Sequence, residues 1–243
     1  MSEELRLQDL KAAGRKIIVA IDGPAGAGKS TVARHLAGRF GLLNLETGAM
    51  YRAFALKALR AAVPLDESGG LERLSRETSI HLEPGADGNR VILDGEDVTG
   101  LLRNAEVTDA ASRVSVFPPV RAWLVRLQQQ MGASGGVVME GRDIGTVVFP
   151  HADVKIFLDA DAAVRGLRRL EQMETAQLGE KPQQPAGEVI RELRERDKRD
   201  RERADSPLKP AEDAVRLDST SLTLEEVLRE AERIVEAKLT ALS

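Results

Sequence analysis

Ile17-Ile18-Val19-Ala20-Ile21-Asp22-Gly23-Pro24-Ala25-Gly26-Ala27-Gly28-Lys29-Ser30-Thr31 is the stretch from which the fold is read. Residues 17–21 are a short apolar run rich in β-branched side chains, the pattern of a buried strand. Residues 23–30 then fit the spacing Gly-x-x-x-x-Gly-Lys-Ser/Thr. Val32, Leu36 and Phe40 recur at a spacing of four, which predicts an amphipathic helix starting near Lys29. Each part of this strand, loop and helix has a use in holding an anion. Glycines adopt backbone conformations closed to other residues and let N–H groups approach a phosphate with no Cβ in the way. The helix start adds the positive end of its dipole. Lys29 is placed to reach β- and γ-phosphate oxygens, and the Ser30 hydroxyl to meet Mg2+ or its waters. Gly23, Pro24, Ala25, Gly26, Ala27, Gly28, Lys29, Ser30 and Thr31 are therefore the expected nucleotide-phosphate residues, with Ser30 as the metal contact.

Outward from the loop, residues 42–45, 137–139, 154–158 and 214–217 read as further short strands. Helical periodicity separates them: Val120, Leu124, Leu127 and Met131 share one face, as do Leu224, Val227, Leu228, Ala231, Ile234, Val235 and Leu239. Thr223 and Glu226 suit a capping box at the start of the last helix. Strands alternating with helices predict an α/β fold with a parallel sheet. Two regions interrupt the rhythm. Residues 63–103 carry turn-rich pieces, among them Ser68-Gly69-Gly70 and Asp94-Gly95, and Ile80, Leu82, Val91 and Leu93 alternate as in a short hairpin. This region reads as a small inserted subdomain. Residues 172–210 begin polar and become almost continuously charged. Residues 1–15 lack the apolar middle of a signal peptide, and the expectation is a flexible extension.

Composition removes several function classes. Aromatic residues are 3% and the formal net charge is -4, so neither a stacking platform nor a basic field for a nucleic-acid backbone is expected. There is no cysteine, which excludes disulfides and thiolate metal sites. His35, His81 and His151 show no metal-ligand spacing. No apolar stretch approaches the ~20 residues of a membrane span. The expected setting is the cytoplasm, without a membrane partner.

A phosphate-binding loop implies nucleotide binding and leaves the reaction open. The Asn-Lys dipeptide that guanine-reading GTPases need is absent, as is the Leu-Ser-Gly-Gly-Gln of transporter ATPases. Small-molecule kinases remain, and three charged clusters could supply an acceptor site. Glu46-Thr47-Gly48-Ala49-Met50-Tyr51-Arg52 follows the second strand, and Arg52 offers a forked cationic donor for a phosphate. Glu140-Gly141-Arg142-Asp143-Ile144-Gly145-Thr146 follows the third. In the charged run, Arg196, Arg199, Asp200 and Arg203 are spaced to share one helix face, which could close over a polyphosphate.

Together these stretches resemble the nucleoside monophosphate kinases, and among them the bacterial cytidylate kinases. The resemblance spans residues 16–239. It also rests on Asp109-Ala110-Ala111-Ser112, Phe117-Pro118, Arg121 and Leu217-Asp218-Ser219-Thr220. It implies a P-loop NTPase core with a five-stranded parallel sheet flanked by helices, an inserted monophosphate-binding subdomain and a short lid. The implied division is core 16–62, 104–171 and 204–243, insert 63–103 and lid 172–203. The implied reaction moves the γ-phosphoryl group of ATP, with Mg2+, to CMP or dCMP in a monomeric enzyme. By the same resemblance, Thr47, Arg121, Asp143 and Arg203 surround the cytosine. Ser112, Arg196 and Asp200 hold the sugar, and Arg52 and Arg142 hold the acceptor phosphate. Lys29, Arg142 and Arg196 are the expected catalytic residues. The chain has Glu46 and Glu140 where the family often has Asp. The residues by themselves leave other readings open: a kinase acting on UMP or both pyrimidines, a nucleotide-dependent regulatory protein, or a nucleic-acid-associated ATPase.

Overall fold

The apolar run ahead of the glycine loop becomes the middle strand of a parallel sheet. The computed structural model describes residues 16–83, 85, 88–176 and 185–241. Strand β1 (Ile18–Asp22) leads through the loop into helix α1 (Lys29–Phe40), followed by β2 (Leu43–Glu46) and α2 (Thr47–Arg60). An excursion holds α3 (Ser68–Arg76) and three short strands, β3 (Ile80–Glu83), β4 (Arg90–Leu93) and β5 (Glu96–Asp97). The chain returns by α4 (Ala105–Val114) and α5 (Pro118–Gly132) to β6 (Val137–Gly141) and then β7 (Val154–Asp159). Helices α6 (Ala162–Ala176) and α7 (Ala186–Glu202), strand β8 (Val215–Asp218) and helix α8 (Leu224–Ala241) complete the described chain.

The five-stranded sheet has the order β2-β6-β1-β7-β8, and its pairings are parallel. Each strand read from the sequence falls on one of these five, and the fold class is the α/β core expected. Alternation along β1 explains both faces. Val19 and Ile21 pack with α1 and α8, whereas Ala20 joins Leu45, Met139 and Ile144 on the other side. Because β1 lies between β6 and β7, connections diverge at its C-terminal end and open a crevice there, where open α/β sheets take their ligands.

A second core gathers α2, α4 and α5 with the excursion, around Phe54, Leu71, Ile80, Val91, Leu93 and Leu124. The expected hairpin forms, with Ile80 opposite Leu93 and Leu82 opposite Val91. The capping box at α8 forms as well: Glu226 accepts from the Thr223 backbone N–H at 2.8 Å, and Thr223 Oγ1 from that of Glu226 at 3.3 Å. Among the described residues, no helix is long and apolar enough to cross a membrane.

Two local expectations fail. Ser68-Gly69-Gly70 is the first turn of α3 and not an open turn, because burying Leu71 and Leu74 outweighs the poor helix propensity of two glycines. Helix α7 ends at Glu202, so Arg203 lies past the face it was expected to share, with φ -61° and ψ 139°. The chain turns back there. Leu208 N–H donates to the Asp200 carbonyl at 2.8 Å, and Pro207 disfavours helix at the residue before it. Residues 1–15, and residues 177–184 of the expected lid, lie outside the described residues.

Candidate active site

The loop after β1 passes directly over β7. Gly23 has φ +152°, and a Cβ there would stand 1.9 Å from the Leu158 carbonyl oxygen, so only glycine fits. Lys29 opens α1 and is 6% exposed; its ammonium donates to the Pro24 carbonyl at 2.7 Å. Burial, aided by the nearby Arg142 guanidinium, lowers its pKa to about 7, with Glu140 opposing. An ammonium so desolvated, with cations as neighbours, is set to gain from an arriving anion. The Glu140 carboxyl lies beside Ser30, and burial raises its pKa. At the end of β1, Asp22 accepts backbone N–H bonds from Ile144 and Gly145, both at 2.7 Å. Burial still pushes it up to about 6. Asp22 therefore pins the segment after β6 to the entrance of the phosphate loop.

That segment and α7 carry an alternating chain of charges. Arg121 pairs with Asp143, and the two side chains are 1% and 7% exposed. Asp143 Oδ1 lies 3.8 Å from Arg203 Nη2, and Arg203 Nη1 lies 4.0 Å from Asp200 Oδ1. Asp200 Oδ2 in turn accepts from Arg142 Nε at 2.9 Å. Arg196 is set against Arg142, and burial together with that guanidinium lowers its pKa to about 10. On the other side, Thr47 Oγ1 donates to the Glu140 carbonyl at 2.8 Å, and Arg52 pairs with Glu46. Ser112 and Asp109 lie one turn apart on α4, and Arg199 reaches Asp109 at 3.4 Å, so α7 leans on that helix.

Arg142, Asp143, Arg196, Asp200 and Arg203 are thus brought together beside Lys29, with Arg52, Thr47 and Arg121 around them. Several buried polar atoms here have no partner among the described residues: Ser112 Oγ, Tyr51 Oη, Arg52 Nε, Arg196 Nε and Glu140 Oε1. Unpaired buried donors and acceptors are costly, and their concentration in one crevice marks a place completed by a polar ligand. A cavity of about 710 Å³ adjoins this centre at the C-terminal ends of β7 and β8, under α7. Asp159, Asp161, Arg194, Asp218 and Thr220 line it.

The family model for cytidylate kinase matches residues 19–237, strands, glycine loop and charged clusters included. The chain belongs to the cytidylate kinase family. A cytidylate kinase of Solibacter usitatus is 48% identical over 226 residues, covering 93% of this chain and 95% of that protein. One from Geobacter sp. (strain M21) is 49% identical over 223 residues, covering 92% and 94%. One from Pelotomaculum thermopropionicum is 51% identical over 212 residues, covering 87% and 92%.

Within this family frame the two glutamates find local uses. The longer Glu46 side chain reaches Arg52, and Glu140 sets its carboxyl at Ser30 while its carbonyl holds Thr47. Sequence reading passed over Asp22, Tyr51 and Arg165. Asp22 had a signal, a carboxylate closing an apolar strand at the loop's entrance. Tyr51 lay inside a cluster already marked, and the Arg121 guanidinium stands 5.8 Å from its ring centre. Arg165 had none, being one arginine among several in an amphipathic helix.

Proposed function

We propose that this cytidylate kinase family member works by clamping two phosphate groups end to end between Lys29 and a cluster of arginines. The reaction is transfer of the γ-phosphoryl group of ATP to CMP or dCMP, giving ADP and the diphosphate. The observation that carries the reading is the juxtaposition of a buried Lys29 with Arg142 and Arg196, two cations that lower its pKa. Like charges gathered in a buried place are unfavourable unless an anion joins them.

The donor phosphates lie along Gly23 to Thr31, with the donor nucleoside in the cavity at β7 and β8. Arg52 and Arg142 hold the acceptor phosphate, and Arg142 exchanges Asp200 for it. Asp200 and Arg196, with the unpartnered Ser112 hydroxyl, then take the sugar. Thr47, Arg121, Asp143 and Arg203 frame the base. The acceptor phosphate, with a second pKa of ~6, is already ionised near neutral pH, so no general base is needed. Lys29, Arg142 and Arg196 supply charge where the migrating group needs it, and α7 excludes water as a competing acceptor. Ser30 and Glu140 fit a magnesium ion: Glu140 Oε1 is buried and unpartnered next to the serine. When bound, the ion would neutralise donor-phosphate charge.

A coupled ADP-release assay with CMP, dCMP, UMP, AMP and GMP tests the reading. CMP and dCMP are expected to be the best acceptors, with activity lost when EDTA removes the metal. Equal or faster turnover of UMP, or none of CMP, would overturn it. The lowered pKa of Lys29 makes a second prediction. Above pH 7 the free enzyme holds this amine largely neutral, and bound phosphates restore its proton. Binding of ATP at pH 8 should therefore take up about one proton, and less at pH 6. Calorimetry in HEPES and Tris reads this as a buffer-dependent enthalpy at the higher pH, absent in Lys29→Met.

A further inference from the structure

Arg165, in the first turns of α6, is 3% exposed and spends its guanidinium on three separate segments. Nε donates to the Ala160 carbonyl at the end of β7, 2.8 Å away. Nη1 donates to the Ala25 carbonyl of the phosphate loop, also at 2.8 Å. Nη2 donates to Asp197 Oδ2 on α7, at 2.5 Å. The side chain therefore touches the sheet, the loop and the lid helix together.

The loop contact has a geometric consequence. In a planar trans peptide the carbonyl of one residue and the N–H of the next point in opposite directions. With the Ala25 oxygen drawn onto Arg165, the Gly26 N–H is turned away from α6. The backing is close, since a Cβ on Gly26 would stand 3.3 Å from the Arg165 Cβ. On the lid side, Asp197 lies between Arg196 and, one turn on, Asp200, whose carboxylate holds Arg142. The two helices pack without slack: a Cβ on Gly166 would stand 2.4 Å from Ile190 Cγ1. One buried guanidinium so links the orientation of a phosphate-loop N–H to the placement of the helix that bears Arg196 and Asp200.

We propose that Arg165 is a positioning residue for phosphoryl transfer: it aims the Gly26 N–H at the donor phosphate and, through Asp197, registers the lid helix to the loop. The proposal rests on the kinase reading above. Arg165 and Asp197 also line the cavity assigned to the donor nucleoside, but all three guanidinium nitrogens of Arg165 are spent on the protein, so it acts through Gly26 and α7.

The test is steady-state kinetics on Arg165→Met, Arg165→Lys, Asp197→Asn and the double variant R165M/D197N, with thermal midpoints measured in parallel. Arg165→Met is expected to lower kcat/KM for ATP by about a hundredfold, the scale of a small misplacement of reacting groups. The KM for CMP should rise less than that for ATP, because Arg165 bonds the donor loop directly and reaches Arg196 and Asp200 of the acceptor site only through Asp197. Arg165→Lys keeps the charge without the three-way fork and should rescue only part of the loss. Asp197→Asn, nearly isosteric, should lower kcat by about tenfold, and the double variant should be no worse than Arg165→Met alone. If Arg165→Met does not fold, the Lys and Asn variants decide. Unchanged kcat and kcat/KM for ATP with a lowered midpoint would make the pair a structural ion pair only and overturn the proposal, as would equal increases in both KM values or strict additivity. A wild-type enzyme inactive on CMP would instead sink the kinase reading. An active wild type whose variants match it would sink this proposal alone.

Discussion

Lys29→Met is expected to lower turnover of ATP and CMP by about a thousandfold, the scale of losing one preorganised charge at a developing anion. The chain should stay folded. In the free enzyme the ammonium is buried, and among the described residues its one hydrogen bond goes to the Pro24 carbonyl. Its pKa of about 7 lies below the ordinary lysine value of 10.5, so the folded state binds that proton less tightly than the unfolded chain. The sign follows from linkage: the charge costs stability fully below pH 7, and the cost is relieved as pH rises from about 7 towards 10.5. Methionine, similar in length and uncharged, removes that cost and gives up a single hydrogen bond worth about 1 kcal/mol. At pH 6 the thermal midpoint should therefore be no lower than that of the parent by more than a few degrees. Kinetics and thermal melts on the same preparation separate the two effects. Near-normal turnover would remove Lys29 from the mechanism.

How far the chain could be read in advance depended on whether a signal was local. The strand, glycine loop and helix from residue 17 to residue 40 carry their signal in period and spacing, and Gly23 shows why: the Leu158 carbonyl leaves no room for a side chain. The hairpin at Ile80 and Leu93 was equally local. Ser68-Gly69-Gly70 misled because two glycines suggest a turn, while α3 is held by Leu71 and Leu74 in a core assembled from distant residues. Arg203 misled for a related reason, since the end of α7 is set by the chain returning at Leu208. Buried charge was the least legible. In the sequence Arg165 and Asp197 look like ordinary solvated residues of charged helices, yet both are almost fully enclosed by elements far away in the chain. Arg121, also enclosed, was found only through resemblance to a family. Its neighbours Val120 and Ala122 give no sign of an ion pair with Asp143.

Asp143 carries the second large expectation: its loss should erase the preference for CMP over UMP. Cytosine offers an amino group beside two acceptors, and uracil puts a carbonyl where the amino group was. In the structure Asp143 is held by Arg121 on one oxygen and approached by Arg203 on the other. In the proposed base site, a base would therefore meet one acceptor flanked by two forked donors, which suits cytosine. Uracil would set a carbonyl oxygen against a carboxylate and leave both unpaired, the kind of polar mismatch that discriminates by ~10⁴. Asp143→Ala removes the repulsion and frees two guanidinium groups to donate to the uracil carbonyl. The ratio of kcat/KM for CMP over UMP should fall by at least about a hundredfold, through a loss on CMP and a gain on UMP. Arg121, 1% exposed, loses its nearest carboxylate but keeps the Ser115 carbonyl at 3.2 Å and Asp205 at 3.7 Å, so the cost in stability should stay at or below about 3 kcal/mol. Asp143→Asn keeps the shape and a carbonyl for Arg121 at less cost, and its amide can serve either base. It should therefore accept both pyrimidines at similar rates while melting close to the parent. An unchanged preference in both variants would remove Asp143 from the base site and leave selection to Thr47, Arg121 and Arg203.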